Sequence, residues 1–274
     1  MLTRVNVLSE NPFYLNIRDS RPSDSIIVEK IEGLNPPTID LFMGDYARDG
    51  GYYSGRRVPP RDVTMTLLLN PNYKNNESVS GLRTMLYKAF MDPFVSGDNL
   101  VITLEDDELA DRYISGFTEK FETDIFSDGT SVEVSFRCPN PYILDYSETV
   151  NLGSGPTVPF EYDGSAETGF IIRADIVAST STLSFDLNGK LFSLSYSFLV
   201  GDKVLIDSRR GSRKIQVTRT TGGVTTTTDI LYAKSSLDWL ELHSKSNLLK
   251  AAGAGGTAVA NITEIRFRGS HWGI

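Results

Sequence analysis

Residues 131–143, SVEVSFRCPNPYI, decide the fold class of this chain. Val132, Val134, Phe136 and Cys138 alternate there with polar or charged side chains. Because successive side chains of a strand point to opposite faces of a sheet, this period of two predicts a half-buried strand. The alternation also places Cys138 on the buried face, so we interpret it as a core thiol and not as a reactive nucleophile.

Similar strand patterns run through most of the chain. In the first half they occupy residues 63–69 and 100–104, and Asp128-Gly129 predicts a turn before residue 131. In the second half, Asn188-Gly189 predicts a two-residue type I′ turn between two strands. Many short strands joined by regular turns predict a β-sandwich or jelly roll for this half. Its strand patterns lie at residues 170–176, 183–187, 204–206, 215–217, 224–230 and 261–269.

One segment, residues 77–92, has the spacing of an amphipathic helix. Asn76 or Ser78 is the candidate N-cap. Pro93 predicts the end, because proline lacks an N–H and its ring clashes with the preceding turn. The first part of the chain is therefore predicted to be an α+β domain, an open sheet or sandwich with one helix. The apolar positions of the helix are Val79, Leu82, Met85, Leu86, Ala89 and Phe90.

The length of 274 residues suggests two domains, with one large β domain as the alternative, and residues 151–165, rich in glycine, proline and serine, are the candidate linker or entry to the second domain. The first 147 residues contain 14 Lys and Arg against 23 Asp and Glu, and the remainder contains 13 against 12. Binding to phosphates needs a surplus of cations, so this balance disfavours a nucleic-acid binder. The single cysteine excludes an intrachain disulfide. Without an apolar signal-peptide core or a bilayer-length apolar run, we expect a soluble protein made inside a cell.

The sequence contains no recognisable catalytic, cofactor or metal motif, so we expect no enzyme activity, no cofactor and no metal. His243 and His271 lack metal-ligand spacing, and Ser154 does not lie in a nucleophile elbow. The acidic run at residues 105–111, EDDELAD, lacks the spaced ligands of a calcium loop and is interpreted as a hairpin tip. A carboxylate pair for glycoside hydrolysis stays open, because its members need not be close in sequence.

Four basic residues, Arg209, Arg210, Arg213 and Lys214, lie on a predicted turn between two strands. Three interpretations of this basic turn stay open: contact with nucleic acid, a solvated turn, or salt bridges to an acidic partner. The acidic first domain of a neighbouring copy is one such partner.

Residues 44–60, GDYARDGGYYSGRRVPP, are predicted to form a long loop. Glycines allow positive φ in it, and two prolines stiffen its approach to the strand that follows. No phosphate-binding spacing is present. Tyrosine and arginine are enriched in interface cores, so we expect this passage to contact another protein. The candidate interface residues are Tyr52, Tyr53, Arg56, Arg57 and Arg61.

Together, these features resemble the distal tail proteins of long-tailed bacteriophages, the siphovirus tail component family, over the whole chain. The most specific element is FRCPNPYI, where a strand ends and the chain leaves the first domain. The passage before Arg61 is the second element. The third, residues 235–247, departs from the family because Ser246-Asn247 replaces a Gly-Asn turn. The positions that match the family are Gly51 and Arg61 around the predicted loop, and Phe136, Cys138, Pro141 and Tyr142 in FRCPNPYI.

The resemblance implies a mainly β protein with an N-terminal ring-forming domain, residues 1–147, and a galectin-like β-sandwich, residues 148–274. Six subunits would form a ring, in which a belt-like extended hairpin of one subunit contacts the next. The strands at residues 99–104, 111–121 and 130–138 are candidates for both the core sheet and this belt. Acidic residues facing the lumen would suit a channel through which DNA passes without being specifically bound.

The same resemblance implies a location at the tail tip of the virion, after assembly in the cytoplasm of the host bacterium. The implied partners are other copies of the chain, the tail tube protein, a tail-associated hub or tip protein and receptor-binding proteins, with no membrane partner.

Two alternatives to a structural hub stay open. The second domain is a candidate carbohydrate-binding module for receptor recognition, in which Trp239, Trp272 or Tyr232 would stack on sugars. A tail-associated hydrolase is the other alternative, although no catalytic site is visible.

Overall fold

The computed structural model describes residues 2–8, 13–16, 25–46, 49–96, 100–106, 111–123, 130–243 and 245–273. The chain forms two compact units, Met1–Tyr146 with His271–Ile274, and Ser147–Ser270. The second domain expected from the sequence ran to residue 274. The second unit stops at Ser270, because the residues that follow it hydrogen-bond within the first unit. No helix among the described residues combines the length and the apolar character that crossing a bilayer requires.

The first unit is built on one sheet with the strand order β2-β1-β7-β8-β9-β6-β3, to which β10 is added beside β8. Its strands are β1 (Leu2–Leu8), β2 (Phe13–Asn16), β3 (Ile26–Glu32), β4 (Asp40–Asp45), β5 (Gly51–Arg57), β6 (Arg61–Leu69), β7 (Leu100–Asp106), β8 (Arg112–Thr123), β9 (Ser131–Cys138) and β10 (Ile143–Asp145). The predicted alternation is confirmed in β9, where Val132, Val134, Phe136 and Cys138 are all buried.

The three segments considered for the belt, residues 99–104, 111–121 and 130–138, contribute β7, β8 and β9 to this sheet. Within the described residues, the separate hairpin of the first unit is instead formed by β4 and β5. The turn predicted at Asp128-Gly129 and residues 107–110 of the acidic run lie outside the described residues.

Helix α1 (Val79–Ser96) packs on the sheet and follows a short 3-10 helix, Tyr73–Asn75. Ser78 is its N-cap, because the Ser78 Oγ accepts a hydrogen bond from the Gly81 N–H at 3.1 Å. The predicted end at Pro93 is wrong, since the helix continues to Ser96. A proline removes only one backbone hydrogen bond of a helix, and burial of the preceding turns against the sheet outweighs this loss. The buried helix residues are Leu82, Leu86, Ala89 and Phe90.

The second unit is a sandwich of two antiparallel sheets, with strand orders β11-β20-β13-β16-β17-β18 and β12-β19-β14-β15. One apolar core, which includes Phe170, Phe185 and Phe192, draws residues from both sheets. The mainly β fold predicted from the sequence is therefore confirmed. The strands are β11 (Thr149–Gly155), β12 (Thr157–Glu161), β13 (Ile171–Ile176), β14 (Thr180–Leu187), β15 (Lys190–Phe198), β16 (Lys203–Asp207), β17 (Lys214–Thr221), β18 (Val224–Asp229), β19 (Ser246–Ala252) and β20 (Ala260–Phe267), with 3-10 helices at Leu231–Ala233 and Ala254–Gly256. The last strand, β21 (Ser270–His271), pairs with β10 in the sheet of the first unit.

The turn predicted at Asn188-Gly189 joins β14 to β15 and has the expected type I′ geometry, with φ of 52° at Asn188 and 90° at Gly189. Residues 151–165 are not a linker, because they form most of β11 and all of β12, the strands with which the chain enters the second unit. The glycines and prolines of this segment suggested a loop, but its apolar residues recur at every second position, and Val158, Phe160 and Tyr162 are buried in the sandwich core.

Candidate assembly surface

The passage predicted to be a loop at residues 44–60 instead contributes to a β-hairpin, in which β4 pairs with β5 between Asp40↔Arg57 and Asp45↔Gly51. Glycine is required there mainly for close approach and not for positive φ. A Cβ on Gly51 would lie 2.8 Å from the Gly44 carbonyl oxygen, a backbone atom, whereas one on Gly44 would lie 2.5 Å from the ring of Tyr52, an exposed side chain that can turn away. Gly50, with φ of 80°, is the exception at the turn.

This β4–β5 hairpin exposes large apolar side chains. Leu41, Phe42, Met43, Tyr52 and Tyr53 each have between 49% and 61% of their surface exposed. Arg56 and Arg57 are exposed on the same strand as the two tyrosines. The sequence analysis missed the three residues of β4, although the apolar run LFM directly precedes the quoted passage. Together these seven residues form the candidate assembly surface.

Arg61 does not belong to that surface, because its side chain is buried, with 3% exposed. Its guanidinium donates hydrogen bonds to the carbonyl oxygens of Pro141 at 2.6 Å, Gly33 at 2.9 Å and Asn35 at 3.0 Å, and also to that of Trp272. Burial lowers the pKa of the guanidinium, and the four carbonyls compensate for its lost hydration. Sequence reasoning missed this role because the acceptors come from distant segments.

The residues of the FRCPNPYI motif either contact Arg61 or pack in the core of the first unit. Phe136 is buried against Phe90 in α1, with ring centroids 5.5 Å apart. Cys138 is fully buried, and burial raises the pKa of its thiol to about 12, which confirms the core interpretation. Pro141 supplies a carbonyl to Arg61, and Tyr142 packs edge-on to Trp272 at 5.1 Å. The motif therefore organises the interior of the first unit.

A second polar cluster in the first unit holds the end of the described chain. The His271 Nε2 lies 2.8 Å from the Asp145 Oδ1, and the Arg112 Nε lies 3.6 Å from the same oxygen. Burial favours a higher pKa for Asp145, but the hydrogen bond and charge of His271 and the charge of Arg112 outweigh it and lower the pKa. Arg112 also donates to the Gly273 carbonyl at 3.5 Å.

The basic turn of the second unit pairs with carboxylates of that same unit. The Arg209 Nη2 lies 2.8 Å from Asp207, and its Nη1 lies 3.4 Å from Glu148. The Arg210 Nε and the Arg213 Nη2 lie 3.6 Å and 3.5 Å from Glu241. Of the three interpretations of the basic turn, these contacts favour salt bridges, with the carboxylates supplied by the same unit.

Glu167, Glu241 and His243 place potential metal-ligand atoms within 4.8 Å of one another. An isolated bridge between Thr168 and Leu242 brings their two segments together. The guanidinium of Arg210 lies within 3.9 Å of both carboxylates and that of Arg213 lies 3.5 Å from Glu241, so this geometry favours an ion-pair network over a cation site.

The aromatic residues considered for sugar stacking occupy different surroundings. Trp239 is half-buried in the second unit, and Arg213 and Lys234 lie 5.4 Å and 5.6 Å from its ring centre. Trp272 belongs to the first unit, whereas Tyr232 is 77% exposed on the second. Of the three, therefore, Trp239 and Tyr232 belong to the unit that was considered for sugar binding, and Trp272 does not.

The chain was compared with known proteins, and no family model and no curated protein matches it. Among solved structures, it matches the Dit (gp 19.1) protein of SPP1 with a TM-score of 0.60 and 18% identity, over 97% of this chain and 98% of that chain. The two proteins share one fold. SPP1 Dit is a paradigm of the hub adsorption apparatus in phages that infect Gram-positive bacteria. The phage p2 baseplate, in its activated conformation with Sr, also matches, with a TM-score of 0.47 and 8% identity over 96% of this chain and 97% of that chain.

Proposed function

We propose that this chain is a structural hub protein of a bacteriophage tail tip and has no catalytic activity. The observation that carries the proposal is the fold shared with SPP1 Dit, a hub protein, along nearly the full length of both chains. In this role six copies form a ring that joins the tail tube to the tip proteins and the host-adhesion apparatus. The ring surrounds the path of the DNA at the tail tip of the virion, after assembly in the host cytoplasm.

The β4–β5 hairpin supports assembly with a neighbouring copy. An isolated two-stranded hairpin is marginally stable in water and gains stability when another surface covers it. Contiguous exposed apolar residues such as Phe42, Met43 and Tyr53 favour such cover. A ring needs one patch to meet a different patch on the next subunit, and a projecting hairpin is suited to such a contact. In this proposal the interface includes Tyr52, Tyr53, Arg56 and Arg57, while Arg61 stabilises the domain that carries them.

The test is the mass and shape of the purified chain, measured by native mass spectrometry and negative-stain electron microscopy. With a chain mass of 30.3 kDa, a closed ring of six copies would have a mass of about 182 kDa. A protein that stays monomeric both alone and when mixed with the tail tube protein would contradict the proposal.

A further inference from the structure

In the second unit, the outer face of the six-stranded sheet β11-β20-β13-β16-β17-β18 carries a groove of about 460 Å³. It lies across β13, β16 and β17, whose alternate residues are buried in the sandwich core on the other face. The groove residues used below are Arg173, Asp175, Lys203, Leu205 and Gln216.

The pairing register arranges these side chains in two rows. Arg173, Leu205 and Gln216 are cross-strand neighbours in one row, while Asp175 and Lys203 are neighbours in the next. Residues two apart along a strand are about 7 Å apart, and neighbouring strands are about 5 Å apart. The register of the three strands therefore holds polar side chains about 5 to 7 Å apart, a spacing similar to that between neighbouring units of a short oligomer.

These groups are free to bind. Among the described residues, the side chains of Asp175, Lys203 and Gln216 have no hydrogen-bond or ion-pair partner. Arg173 has one ion pair, a 3.6 Å contact of its Nε with Glu264, and it is half exposed. By contrast, both carboxylate oxygens of the neighbouring Asp202 accept hydrogen bonds from the guanidinium of Arg219.

We propose that this groove binds a neutral glycan. The two positive charges of Arg173 and Lys203 are balanced by the negative charges of Asp175 and of Glu264, the ion-pair partner of Arg173, so the groove has no net charge and favours an uncharged ligand. A sugar offers hydroxyl groups that donate to the carboxylate and accept from the ammonium, guanidinium and amide groups. Leu205, at the centre of the first row, provides an apolar contact for sugar C–H groups. This site uses hydrogen bonds in place of the aromatic stacking considered in the sequence analysis, and it does not depend on the hub role.

The test uses the full-length protein on an array of neutral oligosaccharides of glucose, galactose, rhamnose and N-acetylglucosamine, together with anionic uronic-acid and phosphorylated oligosaccharides. We expect a neutral oligosaccharide to bind, with its affinity then measured by calorimetry. The Asp175→Ala, Gln216→Ala double variant should bind it at least about tenfold more weakly, because hydrogen bonds to a charged group are lost.

Lys203→Ala and Lys250→Ala provide a matched comparison, because each lysine lies opposite an aspartate on a neighbouring strand, Lys203 opposite Asp175 and Lys250 opposite Asp186. Only Lys203→Ala should weaken binding, and thermal unfolding should show that both variants fold. Binding of anionic oligosaccharides alone, no binding at all, or equal losses in the two lysine variants would overturn the proposal. Ring formation should be unchanged in every groove variant, so failure here leaves the hub proposal standing.

Discussion

The guanidinium of Arg61 donates a 2.6 Å hydrogen bond to the carbonyl oxygen of Pro141, 80 residues further along the chain. This contact connects the start of β6 with the segment that leaves β9, and Arg61 is also directly opposite Cys138 in the pairing register. Arg61 and the FRCPNPYI motif, two of the features that suggested the family, are therefore parts of one buried structure.

We predict that Arg61→Met lowers the free energy of unfolding of the first unit by about 3 kcal/mol or more, because several buried carbonyls lose their donor. Urea unfolding, followed separately for the two units if their transitions differ, measures the loss. The control is Arg57→Met, which alters an exposed arginine and should change stability by less than about 0.5 kcal/mol. Similar losses in the two variants would contradict the buried role of Arg61.

Cys138 should resist alkylation while the protein is folded. Only a thiolate reacts rapidly, and a pKa raised to about 12 keeps the buried thiol protonated at neutral and mildly alkaline pH. We expect slow labelling by iodoacetamide at about pH 8 in buffer and rapid, complete labelling in concentrated urea. Mass spectrometry counts the added groups, and equal rates in the two solvents would show that the thiol is accessible.

The pair of Asp202 and Arg219 predicts acid sensitivity of the second unit. Burial favours a higher pKa for Asp202, but hydrogen bonds from Arg219 and the Leu199 N–H, with the arginine charge, hold the pKa below its ordinary value. A lowered folded-state pKa stabilises the protein above the unfolded pKa, and this stabilisation is lost as pH falls through the folded value. The melting temperature should therefore fall between about pH 4 and pH 2, and less steeply in Asp202→Asn.

The matched control for that experiment is Asp163→Asn, because Asp163 is exposed and makes no ion pair among the described residues. It should retain the pH dependence of the original chain. If Asp202→Asn also retained it, another group would have to be responsible.

Replacing Tyr53, Arg56 and Arg57 together by alanine should abolish or weaken ring formation and leave the melting temperature nearly unchanged, because these side chains are exposed on the β4–β5 hairpin. Native mass spectrometry should then record mainly monomers. Tyr73→Ala removes an aromatic side chain that is 73% exposed outside the hairpin, and it should preserve the ring. An intact ring in the triple variant would remove the hairpin from the interface.

Local patterns predicted much of the fold. The alternation in β9, the burial of Cys138 and the turn at Asn188-Gly189 each depend on a few adjacent residues, and the structure confirms them. Local composition misled where a strand contains glycine or proline, as in β5 and β11, because pairing with a neighbouring strand outweighs weak intrinsic propensity. Pro93 misled in the same way inside α1.

The candidate site was harder to predict, because exposure and burial of arginine cannot be read from composition. Arg56 and Arg61 lie in the same short passage, yet one is exposed and the other is buried. The distant carbonyls of Gly33, Asn35, Pro141 and Trp272, which accept hydrogen bonds from Arg61, distinguish them. The groove around Asp175 likewise depends on the register of three strands and has no local signature.

The return of His271, Trp272 and Gly273 to the first unit has a consequence for synthesis on the ribosome. Arg61 and Asp145 are translated before the second unit, but their partners Trp272 and His271 are translated after it. Until those residues emerge, the nascent first unit holds a buried guanidinium with one acceptor missing. Domains that fold during translation normally finish in order from the N-terminus, whereas here the N-terminal unit is completed last.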